Sequence, residues 1–128
     1  MNKLKHFLFY QQLPEISINK FFFVDVTDIK SKEELLYSYY QVFNFPSYFG
    51  FNWDALYDAL CHLDKWLEEK KIFIIHKDLS CLGKDDFKIY ISVLSDVCDF
   101  WKQYPDSLEL KVYFPELDKN KIQQILSR

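Results

Sequence analysis

Only two glycines, Gly50 and Gly83, and one arginine, the terminal Arg128, occur in the 128 residues. Two isolated glycines cannot build a phosphate-cradling loop, and neither Gly-x-Ser-x-Gly nor His-Glu-x-x-His is present. The net charge of −3 carries no clustered basic footprint, which speaks against nucleic-acid binding. No apolar run approaches the ~18 residues of a membrane span. The opening Met1-Asn2-Lys3-Leu4-Lys5-His6-Phe7-Leu8-Phe9-Tyr10 is basic then briefly apolar, and with no small-residue cleavage site after it a signal peptide is a poor fit. Cys61, Cys81 and Cys98 are odd in number and widely spaced. They suit free thiols in a reducing cytoplasm better than a disulfide framework or a metal site. The most informative absence is local. From Glu33 to Asp64 there is no Lys or Arg, although that stretch carries five carboxylates.

What is present fits an ordinary globular chain: 49% apolar and 27% charged residues, with a high aromatic share of 20%. The length fits one domain, 1–128, able to bury its own core. We divide it into an N-terminal extension (1–20), a core (21–114) and a C-terminal helix (115–128). The extension is the least regular part, interrupted by Pro14, and reads as a short strand on a sheet edge. Phe21-Phe22-Phe23-Val24-Asp25-Val26 and Ile72-Phe73-Ile74-Ile75 are apolar runs too short for helices, as expected of strands covered on both faces. Leu108 to Phe114 alternates and predicts a third, partly exposed strand.

Ser31-Lys32-Glu33-Glu34 has the form of a capping box, and Leu35, Leu36, Tyr39, Val42 and Phe43 follow at helical spacing until Pro46. Asn52 predicts the N-cap of a second helix, whose apolar face is Leu56, Ala59, Leu60, Leu63 and Leu67. A third helix is expected from about Asp85 to Tyr104, with Phe87, Ile91, Leu94, Val97, Cys98 and Trp101 inward. Asp118 is the expected cap of a closing helix that buries Ile122, Ile125 and Leu126. The order β, α, α, β, α, β, α predicts an α/β fold with a three-stranded parallel sheet packed against helices.

Asp54 and Asp58 lie one helical turn apart on the face opposite the leucines, where like charges cost a few tenths of a kcal/mol. No base stands three or four residues away to relieve them. This is either a solvated helix face or an acidic surface whose partner supplies the cations. Tyr48, Phe49, Phe51, Trp53 and Tyr57 surround it; five aromatics in ten residues exceed what the leucine-filled core side can take. Tyr and Trp bury much area at interfaces for little entropy, so the group reads as a contact surface. Asp54, Asp58 and His62 also have i, i+4, i+8 spacing, the basis of an alternative reading as a small metal-dependent hydrolase. No catalytic residue set and no cofactor is expected.

The run Pro46-Ser47-Tyr48-Phe49-Gly50-Phe51-Asn52-Trp53-Asp54-Ala55-Leu56-Tyr57-Asp58 resembles the motif of the barstar family. That family comprises intracellular inhibitors of barnase-type secreted ribonucleases, and its pattern reads Pro-x-Tyr-Tyr-Gly-x-Asn-x-Asp-Ala-Leu-aromatic-Asp. The order of elements agrees from about Phe21 to Phe114. The resemblance implies a cytoplasmic immunity protein whose second helix and preceding loop plug a ribonuclease active site. Tyr48, Phe49, Gly50, Asn52, Trp53, Asp54, Tyr57 and Asp58 would then be partner-binding residues, with the Asp58 carboxylate standing in for an RNA phosphate. Aligning Val93-Leu94-Ser95-Asp96 with the family's third helix adds Asp96, while the next acidic position falls on Phe100. Phe49 and Tyr57 stand where the type member has Tyr and Trp. The segment from His76 to Gly83 is too short for the family's small extra helix. A barstar-like module with a non-nuclease partner is the other reading the resemblance allows.

Overall fold

The computed structural model describes residues 6–13, 22–26 and 29–127, apart from the side chains of Phe22 and Phe23. Pro14 and Phe21 lie outside them. The strands are β1 (Phe7–Tyr10), β2 (Phe22–Val26), β3 (Lys71–His76) and β4 (Glu109–Pro115). The helices are α1 (Lys32–Val42), α2 (Trp53–Leu60), α3 (Lys84–Lys102) and α4 (Lys119–Leu126). The four strands form one wholly parallel sheet in the order β1-β4-β3-β2. The sheet therefore has four strands where the core sequence predicts three. The expected edge strand of the N-terminal extension supplies the extra one, pairing Phe7 with Val112 and Phe9 with Phe114.

β3 is central and buried at five consecutive positions, Ile72 to His76, as its apolar run requires. β2 departs from that expectation: it is an edge strand whose Val24 and Val26 face the core while Asp25 is exposed. One core joins Ile72, Ile74, Val112 and Phe114 of the sheet to Leu35, Leu36 and Tyr39 of α1, Leu56 and Leu60 of α2, and the inward face of α3. Each such fully buried aliphatic side chain contributes about 2 kcal/mol of transfer free energy. All six residues expected inward on α3 are buried. Val42 of α1 is exposed instead, and the next residue, Phe43, is buried. Asp118 occupies the N-cap position of α4 without a capping side-chain bond, and of the three apolar residues expected there only Ile122 is fully buried. Among the described residues no helix is long and apolar enough to cross a membrane.

The capping box of α1 forms with a shift of one residue. Ser31 Oγ accepts from the Glu34 amide at 3.1 Å, and Glu34 Oε2 reaches back to the amide of Lys30 at 2.9 Å. The C-terminus closes with Asn44 in the left-handed region (φ 54°) and the Phe45 amide bonded to the Tyr40 carbonyl. α2 is shorter than its apolar periodicity suggests. The His62 ring Nδ1 donates to the Asp58 carbonyl at 2.7 Å, while the His62 amide bonds to Ala59. The carbonyl that would continue the ladder is thus taken by a side chain. A 3-10 turn, Leu63–Lys65, follows and carries Leu63 into the core.

Beneath the helices runs a buried polar chain. His76 Nδ1 donates to the Tyr113 carbonyl at 2.8 Å, so Nε2 accepts from Tyr90 Oη at 2.6 Å. Tyr90 has then given its single proton and receives that of Tyr39 at 2.7 Å. His76 also stacks on Phe114, ring centroids 4.1 Å apart. Burial pushes its pKa down from 6.5 to about 4, against the smaller opposing effect of the Tyr113 bond. Since the folded value lies below the unfolded one, this contribution to stability is complete above pH 6.5 and is lost as pH falls toward 4. The expected loss is on the order of 3 kcal/mol, measured by denaturant titration across that range. The imidazole signals of His76 should stay unshifted in NMR until near pH 4; titration near 6.5 would contradict the assignment.

Candidate partner-binding site

The segment between α1 and α2 is an aromatic wedge. Phe43 and Phe45 are buried in the core, and of the five aromatics from Tyr48 to Tyr57 Phe49 joins them, 7% exposed, with ring centroids 4.9 Å from Phe45, 4.8 Å from Phe51 and 6.1 Å from Tyr40. The expectation that Phe49 lies on the contact surface is therefore corrected: its ring anchors the loop from behind. A turn closed by the Phe49 amide on the Pro46 carbonyl throws the neighbouring Tyr48 outward, where it is 82% exposed.

Asn52 caps α2 as its type and position predict. Its Oδ1 accepts from the Ala55 amide at 2.7 Å. Gly50 leaves room for that amide group, since a Cβ there would sit 3.3 Å from Asn52 Nδ2. Besides Asn44, Phe51 is left-handed in this segment (φ 51°), an unusual conformation for a bulky side chain. Trp53 is half-buried, its ring 6.0 Å from Tyr90 on the inner side. Lys32 lies over the same ring, Nζ 5.7 Å from the centroid. The base just outside the lysine-free stretch thus packs on an aromatic ring.

Asp54 and Asp58 both point to solvent on α2, with 77% of the Asp58 side chain exposed. Among the described residues no lysine forms an ion pair with either; the single partner is His62, 3.5 Å from Asp58. Tyr57 stands beside them at the surface. Its phenol is held above the ordinary range mainly by its hydrogen bond to Cys61, with further contributions from Asp96 and Asp99. Burial pushes the Cys61 thiol up to about 11, opposed by the Tyr57 bond and reinforced by Asp58 and Asp96. The packing of α2 on α3 thus lets Asp58 of one helix and Asp96 of the other act on the same thiol.

Asp99, one position before Phe100 on α3, has no signal in the local sequence. Asp99 Oδ1 accepts from His6 Nε2 at 2.6 Å, and the other ring nitrogen of His6 accepts from Lys102 Nζ at 3.1 Å. The His6 side chain is 2% exposed. It pins the start of β1 to the face of α3 next to the carboxylates. No local motif signals a contact between positions 93 residues apart. As for metal chemistry, no group of three His, Cys, Asp or Glu side chains among the described residues is placed to hold an ion. His62 has its Nδ1 turned back to the helix.

The family model described as Barstar (barnase inhibitor) matches residues 19–113. The chain belongs to the barstar family. A comparison with curated proteins gives no match. Barstar-family membership covers β2 through most of β4, whereas β1 and α4 flank the matched region. The stretch 77–83 holds no helix in this barstar-family chain, in line with its short length.

Asn52→Ala should lower stability by about 1 kcal/mol in chemical denaturation, because it removes the α2 cap. Tyr48→Ala should change stability by less than about 0.5 kcal/mol, as expected for an exposed side chain outside the core.

Proposed function

We propose that this chain is a cytoplasmic immunity protein that inhibits a barnase-type ribonuclease by occluding its basic active site. It would act without a cofactor and without catalysis of its own. The contact surface consists of Tyr48, Gly50, Asn52 and Trp53 of the loop and helix start, Asp54, Tyr57 and Asp58 of α2, and Asp96 of α3. Phe49 supports that surface from the core.

One observation carries this reading. Asp54 and Asp58 project into solvent a turn apart, with no lysine pairing either among the described residues. The like-charge cost is tolerated in the free protein and becomes favourable against a cationic cleft. In the cleft the Asp58 carboxylate would take the place of an RNA phosphate and accept charge-assisted, bidentate bonds from arginine. Complementary charge would also speed the encounter, and added salt should slow it. The free thiols Cys61, Cys81 and Cys98 support a reducing compartment.

The test is inhibition of RNA cleavage by barnase, with binding followed in parallel. Asp58→Ala should weaken binding by about 2 kcal/mol or more while leaving the melting temperature within a few degrees of the parent. An Asp58→Ala variant that inhibits as well as the parent would refute the site. Recovery of a non-basic, non-nuclease partner from the native host would refute the ribonuclease assignment.

A further inference from the structure

We infer that the partner contact continues from α2 onto α1, where a groove formed by Glu33, Glu34, Tyr37 and Phe51 receives an arginine side chain of the partner. This rests on the inhibitor reading above and adds a second anchoring point to it.

The groove is shallow and open to solvent, about 450 Å³ in volume, with a mainly apolar lining from Glu33, Glu34, Tyr37 and Phe51. Tyr37 and Phe51 are both large and exposed, at 51% and 42%. They lie nearly parallel, 21° apart, with centroids 6.4 Å from each other, and Tyr40 backs both at 6.1 and 5.1 Å. The Phe51 ring is presented by a backbone in the left-handed region, which a bulky residue rarely adopts. It does not leave the surface to join Phe49 in the core, although their rings touch.

The two carboxylates differ. Glu34 is engaged with the Lys30 amide as part of the α1 cap. Glu33 is exposed and makes no ion pair among the described residues. The nearest base in sequence, Lys32, reaches over Trp53. Rings flanked by an unpaired carboxylate suit a guanidinium, whose plane stacks on aromatic faces while its N–H groups meet the carboxylate. Phe51, which lines the groove, stands three residues before Asp54 of α2, so the two features are neighbours along the chain. The charge argues the same occupant, because the whole stretch from Glu33 to Asp64 offers carboxylates and no Lys or Arg.

The test is an NMR titration of the full chain with an end-blocked tetra-arginine peptide. Ring signals of Tyr37 and Phe51 and the amide of Glu33 report on the groove, while the amides of Asp54 and Asp58 report on α2. Both sets should move. Glu33→Gln and Tyr37→Ala should each weaken the response of the groove by about threefold while α2 responds as before. A tetra-lysine peptide should move the groove signals less, and an equal response would overturn the choice of guanidinium. Shifts confined to α2, or variants that titrate like the parent, would overturn the groove and leave the inhibitor reading standing. Shifts in the groove with silence at Asp54 and Asp58 would instead count against the inhibitor reading.

Discussion

The burial of Phe49 is the constraint on which the presentation of the site depends. Its ring is clamped by Phe45, Tyr40 and Phe51, so the loop between α1 and α2 has one way to sit. With Phe49 inward, the turn at Pro46 sends Tyr48 outward, and Asn52 arrives where it can cap α2. The cap and the leucine face then fix the rotation of α2. Asp54 and Asp58 have no other direction left than solvent.

Charge on this surface is arranged by exclusion as much as by placement. A pair of carboxylates one turn apart costs little in water, where the field is screened, and the fold bears it easily. The basic side chains near the site have other attachments. Lys32 lies over Trp53, and Lys102 is bonded to His6. His6 in turn bonds to Asp99, so that carboxylate is partly satisfied while Asp54 and Asp58 are not bonded to any lysine. Asp99 is thus a carboxylate held by the fold, whereas Asp54 and Asp58 are exposed and pair with no lysine among the described residues. Electrostatic complementarity of that kind favours a rapid encounter and a fixed register with a cationic partner.

Rigidity comes from behind. Trp53 packs on Tyr90, which belongs to the buried chain running through His76 to the Tyr113 carbonyl of β4. A polar chain in a core is costly unless every member is bonded, and this one is bonded at each link. It ties α1, α3, β3 and β4 together, and Trp53 at the start of α2 rests on it. β1 adds to the same scaffold from the far edge of the sheet, since Phe7 packs edge-on against Phe114, on which His76 is stacked.

Much of this was legible in the chain before folding. The short apolar runs marked β2 and β3, the alternation from Leu108 to Phe114 marked β4, the capping signals at Ser31 and Asn52 began α1 and α2 where they stand, and the lysine-free stretch marked the exposed carboxylates of α2. These are local properties, set by propensity, capping and charge within a few residues, so one dimension suffices to read them. Tertiary contacts decided the rest. Which of five neighbouring rings goes inside depended on Phe45 and Tyr40, supplied by another turn and another helix. The length of α2 depended on where the His62 ring turned, and the role of Asp99 on a histidine 93 residues away. The sequence by itself determined that an aromatic, acidic ridge exists; only packing determined which of its side chains reach water, because burial is shared among surfaces that meet only after the chain has folded.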